Sequence, residues 1–285
     1  MDCRLTIAQI NPTLGNVGAN LAQHVTAIEA ALAAGSQLIV FPELSLTGYF
    51  LKDQTAELAR PVDSPELRKL CALSKKISIA VGFVELAGDG RIYNSVAFLE
   101  DGKVLHVHRK VHLVTYGMFD EMREFASGSD FTAFQSKLGR FGIMICEDVW
   151  HMSSGYQHFL DGVDAMLIPS CSPGRGIGNA SEELDSTRIW RTLLEAHALL
   201  FQTWVVYCNR VGWEDGVFFW GGSRVLDPFG KELGILAGIE PGSLAARITS
   251  HELRRARIAT PLLRDSKPAM LIEGLQRIAR NGGRA

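Results

Sequence analysis

Short apolar runs of strand length recur along this chain, and most are followed by a segment with apolar residues at helical spacing or by a glycine turn. A chain written this way buries both kinds of element by covering sheets with helices, so the fold class read from it is α/β. Arg4 to Ile10 has a strand pattern, Val17 to Ala34 carries helical spacing and stops at Gly35, and Gln37 to Phe41 is a further buried strand. Ser64-Pro65-Glu66 reads as a helix start, with Ser as N-cap and Pro at the first helical position. Ile77 to Leu86, Ile92 to Leu99 and Lys103 to Arg109 are strand-like and joined by Gly-Asp-Gly and Asp101-Gly102, which brings antiparallel connections into the sheet. The alternation resumes with Leu138 to Cys146, a helical segment around Tyr156 to Leu160, a strand Ala165 to Ser170 and an amphipathic helix from about Glu182 to Phe201. Val205 to Asn209, Ser223 to Leu226 and Leu244 to Ile248 are also strand-like, and the total expected is about ten to twelve strands.

No proline-rich linker, repeat or composition shift divides the 285 residues. Residues 1–285 therefore read as one domain, with 251–285 a tail available for packing or oligomer contacts. The balance of 29 basic against 31 acidic residues offers no broad cationic surface, which argues against nucleic acid as a partner. Cys3, Cys71, Cys146, Cys171 and Cys208 are odd in number and form no CxxC pair, so they read as free thiols of a cytoplasmic protein. The amino terminus lacks a signal-like apolar core and no stretch approaches membrane-spanning length, so neither export nor a membrane is expected.

Three strand-like runs end in reactive side chains. SQLIVFPE puts Glu43 just past one, HVHRK puts Lys110 past another, and GIMIC puts Cys146 at the tip of a third. Sites in α/β sheets lie at the carboxyl ends of strands, where these three residues could converge. A nucleophilic thiol needs a base or a cation beside it. Glu43 could be the base, and Lys110 could favour the thiolate and stabilise a tetrahedral oxyanion, with the Glu147 backbone N–H as second donor. Taken singly, each residue also fits a plain role, since Cys is among the most buried residue types and most strand-end Glu and Lys are solvated.

The wording around these residues extends the pattern. FPELSLTGY, HRKVHL followed by YGMFDE, GIMICEDVW, GVDAMLIPSCSP at Gly162 to Pro173, NRVGWEDGVFFWGGSRVLDPFG at Asn209 to Gly230 and the tail Pro261 to Ile278 together resemble the nitrilase superfamily of carbon–nitrogen hydrolases. The resemblance covers nearly the whole chain. It implies a four-layer αββα sandwich, usually assembled into dimers or larger homo-oligomers, and no cofactor. It also implies Cys146 as nucleophile, Glu43 as general base, Lys110 as oxyanion stabiliser, and Glu121 as a second glutamate that positions Lys110 and the substrate amide.

Within that superfamily the wording is most similar to the glutaminase domain of glutamine-dependent NAD synthetases, where Tyr116, Glu147 and Ser172 match positions that hold the substrate. No SGGxDS-type pyrophosphatase motif follows, and the chain is not expected to make NAD alone. The family's basic residue six positions after the matched serine is replaced by Gly178, and Arg175 nearby is the candidate anchor for an α-carboxylate. The leading function is thus a small-molecule amidase working through a cysteine thioester. One alternative is a glutaminase subunit that passes ammonia to a separate synthetase; another is a non-catalytic α/β binding module with a merely buried cysteine.

Other features carry less. His106 and His108 form an HxH pair without a third ligand at suitable spacing, so no metal is assigned. Gly174, Gly176 and Gly178 match no phosphate-loop pattern and read as a flexible loop beside the pocket. Arg254, Arg255 and Arg257 read as a solvated helix face. Tyr49, Trp150, Trp213, Phe219 and Trp220 divide between pocket lining and core or interface, with Trp213 to Trp220 an aromatic loop. Asn281 to Ala285 read as a frayed end.

Overall fold

The computed structural model describes residues 1–176 and 184–282. The first half runs β1 (Asp2–Gln9), α1 (Val17–Ala33), β2 (Leu38–Val40), α2 (Thr55–Leu58), α3 (Pro65–Leu73), β3 (Ser78–Leu86), β4 (Ile92–Glu100) and β5 (Lys103–Arg109). The second runs β6 (Phe134–Ser136), β7 (Gly139–Ile143), α4 (Met152–Leu160), β8 (Ala165–Ser170), α5 (Asp185–Phe201), β9 (Trp204–Asn209), β10 (Val211–Glu214), β11 (Val217–Trp220), β12 (Arg224–Leu226), β13 (Glu232–Ile235) and β14 (Gly242–Thr249). Three helices close the described chain: α6 (Ser250–Ala259), α7 (Leu262–Asp265) and α8 (Pro268–Arg280).

Two six-stranded sheets form, in the orders β14-β1-β2-β3-β4-β5 and β13-β12-β9-β8-β7-β6. Each has three parallel strands at its centre, β1-β2-β3 or β7-β8-β9, with antiparallel strands outside them. Strands covered on both faces read as continuous apolar runs, which is why Leu38-Ile39-Val40 and Ala165 to Ile168 show no polar alternation. Successive side chains still point to opposite faces. Val40, Ile143, Leu167 and Val206 pack between the sheets, whereas Ile39 and Ile79 meet Ile28 of α1 and Leu70 of α3. On the other side Met166 and Ile168 meet Phe159 of α4 and Leu194 of α5. The layers are therefore helix, sheet, sheet, helix, the αββα arrangement expected from the resemblance.

Ser64 caps α3 as expected, accepting the Leu67 N–H at 3.4 Å, with Pro65 in the first turn. Other expectations need correction. Fourteen strands occur among the described residues, because β6 and β13 are too short for a period to show. The segment Trp213 to Trp220 is not a loop but the greater part of a β10–β11 hairpin, closed by Asp215 and Gly216 at φ +50° and +78°. That Asp-Gly pair is a strong two-residue turn signal. The strand read to Cys146 ends at Ile143, since Cys146 itself turns the chain. Glu182 and Gly178 lie outside the described residues, as do 283–285. Among the described residues no helix is long and apolar enough to cross a membrane.

Helix α1 also buries polar groups. Asn20 donates to the Leu46 carbonyl at 3.1 Å, and His24 bonds the Asn20 carbonyl at 2.7 Å and Ser45 Oγ at 2.9 Å, so α1 holds the loop that follows β2. Burial lowers the pKa of His24 to about 4, and that of His158 in α4 likewise to about 4. Both folded values lie below the unfolded value of about 6.5, so their contribution is complete above that pH and is lost as pH falls toward 4. The unfolded chain then binds two protons that the fold refuses, a slope approaching about 2.7 kcal/mol per pH unit. The urea midpoint should drop clearly between pH 7 and pH 5; an unchanged midpoint would contradict the neutral buried pair.

Candidate active site

Glu43 lies in the loop after β2, which crosses the neighbouring strand so closely that a Cβ at Gly82 would sit 2.4 Å from Leu44 N and 2.5 Å from Pro42 O. Only glycine leaves room there. Lys110 directly follows β5, Glu121 opens a single 3-10 turn at Glu121–Arg123, and Cys146 opens another at Cys146–Trp150 just past β7. Cys146 has φ +47° and Leu44 φ +46°, a left-handed conformation uncommon for residues with a Cβ. Backbone strain of this kind clusters at functional sites. All four side chains meet at the same end of the two sheets.

The Lys110 ammonium donates to Glu43 Oε1 and to Glu121 Oε1, each at 2.7 Å, and all three side chains are almost wholly buried. Asn94 Nδ2 donates to the same Glu43 oxygen at 2.7 Å, while the Cys171 N–H donates to Glu43 Oε2 at 2.7 Å. Glu121 accepts the Tyr49 hydroxyl at 2.5 Å and the Val114 N–H at 3.0 Å. Each carboxylate is thus fixed by a cation and by neutral donors, the condition under which buried charge is tolerable.

The electrostatics follow from this packing. Burial works against the Lys110 charge, but Glu121 and Glu43 outweigh it and the ammonium persists well above the ordinary lysine range. Burial raises the Glu43 carboxyl above its usual value, with Lys110 opposing and Glu121 adding to the rise. Cys146 is pushed well up by burial and by Glu43, again against Lys110, so at rest the proton stays on sulfur. A proton moved from Cys146 to Glu43 leaves a thiolate beside a fixed ammonium.

Asp148, two residues past Cys146, is a buried residue at the candidate site that reading the sequence missed. Its Oδ2 accepts the Ile145 N–H at 2.9 Å and bonds His108 Nε2 at 3.1 Å, and its Oδ1 accepts the N–H groups of Val111 and His112 at 3.1 and 2.9 Å. This one carboxylate ties the Cys146 turn to the segment after Lys110. Burial opposes its charge, yet His108 and the backbone donors hold its pKa below the usual range. His106 instead stacks on Phe134 at 4.4 Å, with its Nε2 buried and without a hydrogen-bond partner among the described residues. Asn94 and Cys171 were missed too, since nothing local distinguishes them from other residues in a strand or just past one.

Cys146 opens onto a cavity of about 280 Å³ that also contains Tyr116, Glu147, Ser172 and Arg175. The Tyr116 hydroxyl reaches both Glu147 oxygens, at 3.0 and 3.1 Å. Ser172 is fixed by Asn209, whose Oδ1 accepts the Ser172 N–H at 2.8 Å, and by Trp220 Nε1 donating to its Oγ at 3.3 Å. Arg175 lies over the Phe119 ring at 4.7 Å, and its Nη2 is buried without a partner among the described residues. Of the aromatic candidates, Tyr49 and Trp150 line the cavity, Phe219 and Trp220 are core, and Trp213 is exposed at the hairpin. Gly174 and Gly176 flank Arg175, with Gly176 on the cavity wall. Of the basic run, Arg254 and Arg255 are exposed, but Arg257 departs from the expectation by donating to the Val163 carbonyl at 2.6 Å, half-buried.

The model of the carbon–nitrogen hydrolase family matches residues 4–258. The chain belongs to that family. This carbon–nitrogen hydrolase is 33% identical over 233 residues to the glutamine-dependent NAD(+) synthetase of Thermotoga maritima, an alignment covering 80% of this chain and 39% of that one. It therefore spans about two-fifths of that relative's length. The solved carbon-nitrogen hydrolase from Helicobacter pylori G27 superposes with TM-score 0.87 over 96% of this chain and 98% of that one, at 23% identity, a likeness of fold. Nit3 of Saccharomyces cerevisiae, a nitrilase-superfamily member, gives TM-score 0.78 at 27% identity, covering 92% and 95% of the two chains. Membership of an enzymatic superfamily and the αββα fold thus agree with each other.

Proposed function

We propose that this carbon–nitrogen hydrolase is a cysteine-dependent amidase for a small-molecule amide. The observation that carries the reading is the buried Glu43–Lys110–Glu121 ion-pair set beside Cys146 at the cavity wall. Glu43 takes the thiol proton, and the sulfur attacks the amide carbonyl carbon to form a C–S bond. Lys110 and the Glu147 N–H stabilise the tetrahedral oxyanion. The C–N bond then breaks, Glu43 returns its proton to the nitrogen, and ammonia or an amine leaves a thioester. Water, deprotonated by Glu43, cleaves the thioester to the carboxylic acid and restores the thiol.

Ammonia release should be measured from glutamine, asparagine, ω-amides of keto acids, carbamoyl amines and simple aliphatic amides, with intact mass recorded during turnover. The expected result is release from one class with an acyl mass on the Cys146 peptide. Release that survives alkylation of Cys146 would overturn the reading, and absence of both release and alkylation would leave the binding-module alternative.

A second reading is favoured by the cavity's charges. Glu147, steadied by Tyr116, faces one part of the cavity, while Arg175 offers an unpartnered Nη2. Opposite charges in about 280 Å³ suit the ammonium and carboxylate of an amino-acid ω-amide, which supports glutamine as substrate. Glutamine leading the panel, with aliphatic amides silent, is the result a glutamine-specific site requires; ammonia supply to a partner further requires that the activity appear only when the synthetase is added, and free, partner-independent hydrolysis of glutamine would weigh against it.

The protein is further proposed to self-associate through its tail. Met270, Ile272, Leu275 and Ile278 of α8 are each more than half exposed, and α8 buries none of its residues. Such a contiguous apolar face marks an interaction surface. Ile272→Asp should shift the elution volume toward monomer in size-exclusion chromatography; an unchanged volume would exclude α8 from the contact.

A further inference from the structure

A buried ion pair outside the reacting groups reaches them through one side chain. Arg210, directly after β9, and Glu214 of β10 are both buried and paired. Arg210 also donates from Nη2 to Asn11 Oδ1 at 3.1 Å and to the Pro12 carbonyl at 3.2 Å, and its guanidinium lies 4.4 Å from the Phe219 ring centroid. Glu214 is thereby held at a fixed place. Its Oε1 accepts the backbone N–H groups of Tyr49 and Phe50, both at 2.7 Å. The chain passes Glu214 so closely that a Cβ on Gly48 would meet Oε2 at 2.8 Å. Tyr49, gripped through its backbone, then places its hydroxyl 2.5 Å from Glu121 Oε1, the same oxygen that takes Lys110 Nζ.

We propose that Glu214 is a positioning residue that sets the Lys110–Glu121 pair through Tyr49. This rests on the amidase reading of Cys146 and extends it to a residue that touches none of the reacting atoms. The physical sense is a competition for one charge. Glu121 draws on the Lys110 ammonium, and a Tyr49 hydroxyl donated to Glu121 relieves part of that demand. More of the positive charge is left for the Cys146 thiolate. A tyrosine whose backbone is released from Glu214 loses the angle and distance of that bond, and hydrogen-bond strength falls steeply with both.

The test is the pH dependence of Cys146 alkylation by iodoacetamide, which reads thiolate formation without needing the natural substrate. Wild type, Glu214→Gln, Tyr49→Phe and the double variant are compared, each corrected for its folded fraction. Each single variant should alkylate about three- to tenfold more slowly at neutral pH, with the midpoint moved upward, as loss of one hydrogen bond to a charged group predicts. The double variant should be no slower than the slower single within about twofold, because Glu214→Gln removes the Arg210 ion pair that fixes the acceptor of the Tyr49 N–H and Tyr49→Phe removes the hydroxyl, so both act on the same link. Multiplying effects would overturn the proposal. So would a Glu214→Gln profile identical to wild type after correction for folded fraction, since a purely structural role lowers stability without moving the midpoint. If Glu214→Gln does not fold, Tyr49→Phe decides: an unmoved profile there removes the link from Glu214 to Lys110. Failure of the amidase reading itself would look different, with Cys146 inert to alkylation in the wild type.

Discussion

Lys110→Met should cost about 3–5 kcal/mol of stability and slow the proposed amide hydrolysis at least about a hundredfold. Methionine fills the volume but leaves Glu43 and Glu121, which share the Lys110 Nζ at 2.7 Å each, as buried like charges with their common cation removed. Breaking a buried pair by removing one partner is costly because the other charge stays buried. The pair then takes up a proton, and the Glu43 carboxyl, already raised by burial, rises further above the unfolded value. With its folded value raised, stability is full below the unfolded carboxylate pKa and is lost as pH rises through the folded one. The variant should therefore resist urea best in weak acid and worst near neutrality. A variant as stable as wild type at pH 7 would mean that the three groups are not mutually dependent.

Glu43→Gln should lower turnover by about 10²- to 10⁴-fold, the range for a general acid–base group. The fold should survive. The new side-chain amide still offers an oxygen to Lys110 and Asn94, but its nitrogen would face the Cys171 N–H that now donates to Oε2, an unmade bond of about 1–3 kcal/mol. In the wild type Glu43 must be ionised to accept the thiol proton, and burial raises its pKa. Protonation thus sets in earlier on acidification, so the acid limb of kcat/KM should lie above the ordinary carboxylate range. Residual activity of the variant should lack that limb. An acid limb shared by both proteins would assign it to another group.

The strands and helices that form the two sheets were legible because their signals are local. Ser64-Pro65 and Asp101-Gly102 act within a few residues, and apolar runs such as Leu38 to Val40 report burial on both faces. The short strands β6 and β13 and the β10–β11 hairpin escaped, the first two because a period needs length and the hairpin because its aromatic residues read as loop despite the Asp-Gly turn. Glu43, Lys110, Glu121 and Cys146 were legible as candidates because each sits in distinctive wording at a strand end or loop, and the fold brings them together.

Element types, family and the four residues to watch could all be read along the chain. What holds those residues was settled by folding: Asp148 tying Cys146 to the Lys110 segment, Cys171 on Glu43 across 128 residues, and Glu214 on Tyr49 across 165. Such bonds join positions with no shared period or spacing. They exist because two sheets stack with their strand ends together, and a single chain read in order carries no mark of which distant carboxylate will face which N–H.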